Sequence, residues 1–476
     1  MATTRPLDLS NVQGDILEGL GKRNQSFFFF RIRAGHASHF REDLRSFIPL
    51  ITSTTDAKKF HQSIKEAKRE AAKQRKPCSL IENSAVNLSF SQKGLDALGI
   101  SDDIGDTVYK NGMLSDAANL KDDLADWDSK FKQEIHGVFL VTANCKAVLE
   151  ETGDRIKRIF RVGQKNAAID EVIRLSGNTR PGAEHGHEHF GFNDGLSQPA
   201  VKDVDAGVIS EPGEEPVSQG VILLGRDNTA RPSWALDGSF LVFRYLKQLV
   251  PEFDSFLEAN ALDVPYARAP GDPTGAELLG ARLVGRWKSG APIDLTPLRD
   301  NPEFATRQDF RFDVKSQERC PFAAHVRKTN PRDDLKKFGG TEKNRILRRG
   351  ITFGPEVTEQ EKKAKRSSDD KKLERGLLFV CYQSDISKGF QFIQKSWADN
   401  PDFPPKDGVK PGIDPIIGVG EPREMVGAIP NAVTETLGFD AKWVIPRGGE
   451  YFFTPSISAL KHTFAAPGRR PGQHEL

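Results

Sequence analysis

Ser26-Phe27-Phe28-Phe29-Phe30-Arg31-Ile32 is a short apolar run of the length expected of a buried strand. Its pattern returns in the second half of the chain as Ser239-Phe240-Leu241-Val242-Phe243-Arg244-Tyr245. Each run leads into a face of helical period: Phe40, Leu44, Phe47 and Ile51 after the first, Leu249, Phe253, Phe256 and Leu257 after the second. A second pair of echoes follows. Gly376-Leu377-Leu378-Phe379-Val380-Cys381-Tyr382 matches Gly137-Val138-Phe139-Leu140-Val141 in position and pattern. Each half therefore reads strand, helix, further strands. The expected fold is α+β, an internal duplication in which antiparallel sheets carry peripheral helices.

Between these anchors, Ala85 to Phe90 and Gly137 to Ala143 read as strands, Lys58 to Lys76 as a solvated helix or loop, and Leu120 to Lys130 as an exposed helix. Asp203 to Ser218 is acidic, bears Gly and Pro, and reads as the loop between two domains, 1–220 and 221–476. Glu356 to Arg375 reads as a solvated insertion, Asp399 to Gly412 as irregular, and the tail from Ala466 as frayed.

Composition narrows the function. At 476 residues the chain is too long for one core. Lys and Arg number 68 against 66 Asp and Glu, so no electrostatic case exists for a nucleic-acid or membrane partner. No run of about 18 apolar residues is present to span a bilayer. The 31 phenylalanines against 5 tyrosines imply aromatic cores or an apolar cofactor cavity. Cys78, Cys145, Cys320 and Cys381 are far apart, which argues against a metal cluster, thioether-attached heme or a disulfide framework. Met1 to Leu20 has no signal-peptide pattern, so the chain either stays inside the cell or is a mature form. Asn24-Gln25-Ser26 and Asn87-Leu88-Ser89 match the glycosylation pattern, but both adjoin strands.

The chemistry centres on His189-Phe190-Gly191-Phe192-Asn193-Asp194-Gly195-Leu196-Ser197-Gln198-Pro199. Gly191 and Gly195 read as hinges that aim Asp194, and the phenylalanines make its surroundings apolar. For a D-G pair alone, an Asp that caps its own turn is the plainer reading. His185-Gly186-His187-Glu188-His189 reads as a loop into this turn in preference to a metal cluster. A partner stands at Cys320-Pro321-Phe322-Ala323-Ala324-His325-Val326-Arg327-Lys328-Thr329-Asn330-Pro331-Arg332. A lone His on an apolar face is usually a satisfied core residue. The neighbouring cations suit a carboxylate-bearing cofactor that needs an axial ligand. Arg345-Ile346-Leu347-Arg348-Arg349-Gly350-Ile351-Thr352-Phe353-Gly354-Pro355 then places arginines in an apolar run, either exposed or buried against an anion.

Taken together, these segments resemble the dye-decolourising peroxidases. The family's Gly-x-x-Asp-Gly signature stands as Gly191 to Gly195, the axial-histidine segment at Cys320 to Arg332, and the distal-arginine segment at Ile346 to Pro355. Leu9-Ser10-Asn11-Val12-Gln13-Gly14-Asp15-Ile16-Leu17 is similar to the start of fungal members, so the likeness runs from Leu9 to about Ala465. Gly-x-x-Asp-Gly alone is weak; the ordered set is strong.

The resemblance implies two ferredoxin-like halves with one non-covalent heme b between them, held in the second half. It implies His325 as the iron ligand, Asp194 as the distal acid/base and Arg348 as the distal cation. Asp414, or alternatively Asp385, would accept the His325 ring proton, which favours high-valent iron. Leu377 and Phe379 would line the distal pocket, with Arg327 and Arg332 as propionate partners. Trp397 matches a surface electron-transfer position for bulky dyes, against the plainer reading of a ring packed on Phe390 and Phe392. Phe353 stands where some relatives carry an oxidisable Tyr, which puts a second surface route in doubt.

The activity so implied is a peroxidase that uses hydrogen peroxide to oxidise dyes, phenols and related aromatic compounds through a high-valent iron-oxo state. An acidic optimum is expected, because an Asp of ordinary pKa, about 3.9, remains a base where a His of about 6.5 does not. Secretion follows from the resemblance alone, with the cytoplasm as the alternative, and a monomer is the working expectation. Two other classes compete. A heme-binding or heme-storage protein needs neither Asp194 nor Arg348, and a carboxylate hydrolase needs a second acid near Asp194.

Overall fold

The computed structural model describes residues 6–76, 81–205, 214–264 and 272–467. Cys78, the middle of the Asp203 to Ser218 linker and the tail beyond 467 lie outside the described residues. The first half runs β1 (Asn24–Ile32), helices Ala37–Phe47 and Thr54–Lys73, β2 (Ser84–Phe90), β3 (Gly137–Ala143), helix Lys146–Ile159 and β4 (Ile169–Asn178). The second runs β5 (Ser239–Gln248), helices Val250–Ala259, Gly275–Val284 and His325–Thr329, β6 (Leu347–Arg348), β7 (Ile351–Phe353) and β8 (Gly376–Gln383). A short helix, Phe390–Phe392, then passes into a π-helical turn, Ile393–Ala398, before β9 (Glu424–Val426), β10 (Thr436–Gly438) and β11 (Val444–Thr454).

The duplication is visible in the strand order. Across the sheet the first half reads β4-β1-β3-β2 and the second β11-β5-β8-β6, with β7 also on β8. Fourth, first, third, second is the order of a ferredoxin-like unit, here built twice. The echoed runs are the first strands, β1 and β5, and the third strands, β3 and β8. The two units join into one nine-stranded sheet where β11 meets β2 at Phe453 and Phe90. Beside that junction the hydroxyls of Ser89 and Thr454 lie 2.7 Å apart. The sheet curls until its far edges touch, and Thr352 Oγ1 donates to the Asn178 carbonyl at 2.7 Å.

The phenylalanine run of β1 is explained by cover on both faces. Alternate side chains of a strand point to opposite faces. Phe27 and Phe29 face the inside of the curl, 4.9 and 4.8 Å from the ring of Phe243 on β5. Phe28 and Phe30 face the helices and meet Phe139 at 5.7 and 4.8 Å. A strand buried on both sides has no reason to alternate with polar residues.

Two expectations are corrected. Leu120 to Lys130 is not an exposed helix but a run of turns ending in a 3-10 turn at Ser129–Lys132. Its aspartates bond locally, Asp123 to the Ala125 N–H and Asp128 to the Lys130 N–H, which competes with helix formation. The segment folds inward: Leu120 and Trp127 are buried, and the Asp122 side chain is 1 % exposed. Within Glu356 to Arg375, Glu361 and Arg375 form a buried ion pair of 2.8 Å, so the segment is not simply solvated. The charged stretch before Lys76 is a helix, closed at its start by a capping box of Ser53 and Asp56.

Candidate active site

One cavity of about 280 Å³ lies against β5 and β8 and collects the chemistry-bearing residues of both the connecting loops and the second half. Leu377 and Phe379 project into it from β8, Arg244 and Leu246 from β5, and Val326 and Thr329 from the helix that His325 begins. Its walls are mainly apolar, which strengthens any charge interaction within it.

His325 lies in this cavity with its ring fixed from behind. Asp414 is fully buried, and its Oδ2 lies 2.8 Å from His325 Nδ1. The other oxygen, Oδ1, accepts the N–H groups of Ile416 and Ile417 at 2.8 and 3.0 Å. A carboxylate so bonded makes Nδ1 the donor and leaves Nε2 for a ligand. Burial presses the His325 pKa down, but the charge and hydrogen bond of Asp414 outweigh it and the net shift is upward. Asp385 bonds to Lys388 and Ser387 instead, so the alternative to Asp414 is not realised.

Asp194 sits on the segment joining β4 to β5. Gly191 and Gly195 take φ of +92° and +78°, the left-handed backbone that the two hinges required. Asp194 Oδ1 accepts from the Gly195 N–H at 2.6 Å and from Arg348 Nη1 at 2.7 Å. Burial pushes the Asp194 carboxyl upward, yet Arg348, the Gly195 N–H and His325 together hold it below its ordinary value. Arg348 is steadied in turn by the residues after the signature. Its backbone N–H donates to Gln198 Oε1 at 2.9 Å, and Nη2 donates to the Ser197 carbonyl at 3.3 Å.

The remaining expectations divide. Arg332 lines the cavity, but its guanidinium donates to Glu214 at 2.9 Å and to the carbonyls of Gln308 and Phe310, both at 2.7 Å. Arg327 does not reach the cavity, which corrects the expectation that it partners a propionate. It is fully buried, forks onto Asp334 at 2.7 and 2.9 Å, and lies between the rings of Phe312 and Phe322. Trp397 is not a surface residue: it is 3 % exposed and stacks on Phe403 at 5.2 Å and 9°, with Phe392 at its edge. His189 is buried against the Phe353 carbonyl, and no group of three His, Cys, Asp or Glu among the described residues is placed to hold a metal.

Several residues in or behind the cavity wall escaped the sequence reading. Glu214 bridges Arg332 and Arg345, at 2.9 and 2.8 Å, and also accepts from Ser197 Oγ. Asp122 pairs with Arg244 at 2.6 and 2.8 Å in the cavity wall. Glu188 and Gln248 line it as well. Arg345 lies in a quoted run and was within reach of sequence; Asp122 carried no signal among its many acidic neighbours.

The donor set fits a heme. His325 Nε2 faces an apolar space, Arg286, Arg332 and Arg345 supply cations for carboxylates, and Asn330 Oδ1 is buried at the wall with no partner among the described residues. The comparisons agree with this geometry. Residues 11–181 match the DyP dimeric alpha+beta barrel domain, and residues 188–406 match Dyp-type peroxidase, C-terminal. The dye-decolorizing peroxidase msp1 of Mycetinis scorodonius is 43% identical over 96% of this chain and 87% of that protein. The solved structure of an ancestral D-type dye decolorizing peroxidase is 52% identical with a TM-score of 0.88, over 97% of this chain and 100% of that one. A dye-decolorizing peroxidase in complex with 2,6-dimethoxyphenol is 43% identical with a TM-score of 0.84, over 97% and 100%.

Proposed function

The chain belongs to the dye-decolourising peroxidase family and is a peroxidase; from that premise we propose that its cavity holds one non-covalent heme b on His325 and that Asp194 and Arg348 activate hydrogen peroxide beside it. The observation that carries this reading is the meeting in one cavity of two pairs, Asp194 with Arg348 at 2.7 Å and His325 with Asp414 at 2.8 Å. A structural histidine would not need a buried carboxylate behind its ring and an unengaged nitrogen before the cavity. Heme storage would need neither member of the first pair.

When bound, the heme supplies an iron that takes up peroxide and passes its oxidising equivalents to a donor. The chain supplies the rest. Asp194 Oδ1 is occupied by Gly195 and Arg348, so Oδ2 is the oxygen that takes a proton from peroxide and returns it to the leaving oxygen. Arg348 stays charged throughout and steadies the anionic side of that transfer. Asp414 orients the His325 ring and increases its donor strength. Leu377 and Phe379 make the wall beside this pair apolar. Arg332 and Arg345 are the cations for the propionates, with Glu214 between them.

Phenols and dyes are the proposed donors, supported by the likeness to the structure with 2,6-dimethoxyphenol. Secretion and a monomeric state belong to the same proposal and rest on family resemblance alone. The visible spectrum of the purified protein tests the whole. A Soret band that shifts on adding peroxide is expected, and its shift in Asp194→Asn is expected to slow by about 10²–10⁴-fold. An unresponsive band in the parent favours the heme-binding alternative, and no band sinks the reading.

A further inference from the structure

The turn that carries Asp194 holds two glycines in left-handed backbone, and its backbone is tied at the far end by the Asp194 N–H on the Gly186 carbonyl at 3.1 Å and the Asn193 N–H on the Lys288 carbonyl at 3.2 Å. The near end, Phe190 to Phe192, is held by the Glu188 side chain. Its Oε1 accepts the Phe192 N–H at 2.9 Å, and its Oε2 accepts the Phe190 N–H at 2.9 Å and Gln248 Nε2 at 2.5 Å. Its backbone closes the same loop, donating to the Phe192 carbonyl and accepting from Gly191, both at 2.9 Å. Gln248 ends β5, so this carboxylate ties the turn to the sheet that forms the cavity wall. Phe190 is further seated on Phe253 at 4.5 Å.

The geometry points to Glu188 as a positioning residue for Asp194: its half-buried carboxylate clamps Phe190 and Phe192 against Gln248, and so holds Asp194 against Arg348. Glu188 is half-buried in the wall of a mainly apolar cavity, where a carboxylate is costly unless its bonds are made. The bonds it makes are to the one turn whose aim decides the proton transfer. Gln248 Oε1 is buried without a partner, so the amide is spent on Glu188 through its nitrogen alone. Burial raises the Glu188 carboxyl, in contrast to Asp194, which Arg348 helps to hold low. The charged groups acting on Glu188 are Asp194 and, through its contact with the Glu188 carbonyl, Arg180. Those acting on Asp194 are Arg348, His325 and Glu188.

This inference rests on the proposed function, and the two fail differently. The holoenzyme and its Glu188→Ala, Glu188→Gln and Gln248→Leu variants are mixed with peroxide across acid pH. In Glu188→Ala the peroxide step is expected to slow by about 30-fold or more, within the range that a misplaced acid/base group loses. Its acid midpoint is expected to rise toward an ordinary carboxyl, about 3.9, as Asp194 leaves Arg348. Glu188→Gln keeps the side-chain shape but turns one acceptor into a donor, so a smaller loss is expected. In the heme-free protein, infrared difference spectra against Asp194→Asn are expected to show the Asp194 carboxyl titrating higher in Glu188→Ala.

Added to Asp194→Asn, Glu188→Ala is expected to slow the step by less than about twofold, because the group it positions is already gone. An unchanged rate and acid midpoint in Glu188→Ala, or a loss that multiplies in full on Asp194→Asn, overturns the inference. Should Glu188→Ala not fold, Glu188→Gln and Gln248→Leu decide by the same readouts. A parent that binds heme but ignores peroxide sinks the proposed function instead.

Discussion

At the scale of single residues, the proposed function takes its acid range from Asp194 and Arg348. Burial alone would raise the carboxyl, but Arg348 and the Gly195 N–H bring it below its ordinary value. The folded pKa is therefore depressed relative to the unfolded chain. The stabilisation of the pair is present above about pH 3.9 and is lost as pH falls through the folded value. Activity should follow the same sign, with the base form surviving into acid. Arg348→Leu is expected to slow the peroxide step by about 10²–10³-fold and to move its acid midpoint upward in a stopped-flow pH series. Behind the cavity, Asp414→Asn replaces a carboxylate that holds His325 Nδ1 by an amide of ambiguous donor sense. Heme titration of the variant is expected to show about 10–100-fold weaker binding, and unchanged affinity would remove Asp414 from that role.

Elements decide how such residues are aimed. β6 is two residues long, yet its pairing with β8 sets Arg348 opposite Cys381 and turns successive arginines different ways. Arg345 meets Glu214, Arg348 meets Asp194, and Arg349 donates to the carbonyls of Asp15 and Leu17 near the start of the chain. The π-helical turn after Phe392 is the second case. Ile393 and Gln394 reach the cavity, while Trp397 turns away from it into a cluster with Phe403, Leu335 and the back of Ile393. Lys328 Nζ donates to the Trp397 carbonyl at 3.3 Å and lies 5.7 Å from the Phe403 ring. Packing is thus the role the geometry supports. Trp397→Ser is expected to cost about 3–5 kcal/mol in denaturant unfolding, while Trp397→Phe keeps bulky-dye oxidation near the parent rate. A Trp397→Phe variant that folds like the parent but loses bulky-dye oxidation would restore the electron-transfer reading.

Over the whole molecule, the two ferredoxin-like units share one sheet and its main apolar cluster. Phe27 and Phe29 of the first pack on Phe243 of the second, and Phe240 packs on Tyr109 at 5.0 Å. Asp122, from the first unit, is paired inside the cavity wall of the second with Arg244, whose side chain is 6 % exposed. Asp122→Ala leaves that guanidinium buried and unpaired, a loss of about 3–5 kcal/mol. Because the halves share a sheet, that loss is expected to lower a single transition. Circular dichroism and Soret absorbance followed in parallel should report the same midpoint, and separate transitions for the two halves would contradict it.

The sequence by itself determined the duplicated α+β plan, because strand and helix periods are properties of neighbouring residues and survive in the chain as written. It also held the turn, the histidine segment and the arginine run, since each is local and carries its own glycines, small residues or cations. The tertiary structure alone decided which cations face the cavity. Arg327 and Arg332 stand five positions apart, yet one is enclosed by Asp334 and two rings and the other lies on the wall. A buried arginine is placed by whichever carboxylate the fold brings to it, and Asp122 and Glu214 reach Arg244 and Arg332 from segments distant along the chain. Leu120 to Lys130 shows the same limit: its acidic composition reads as solvent-facing, but one of its aspartates is drawn inward by a guanidinium on β5. Long-range pairing of charge leaves no period in the sequence, and this site is assembled from such pairs.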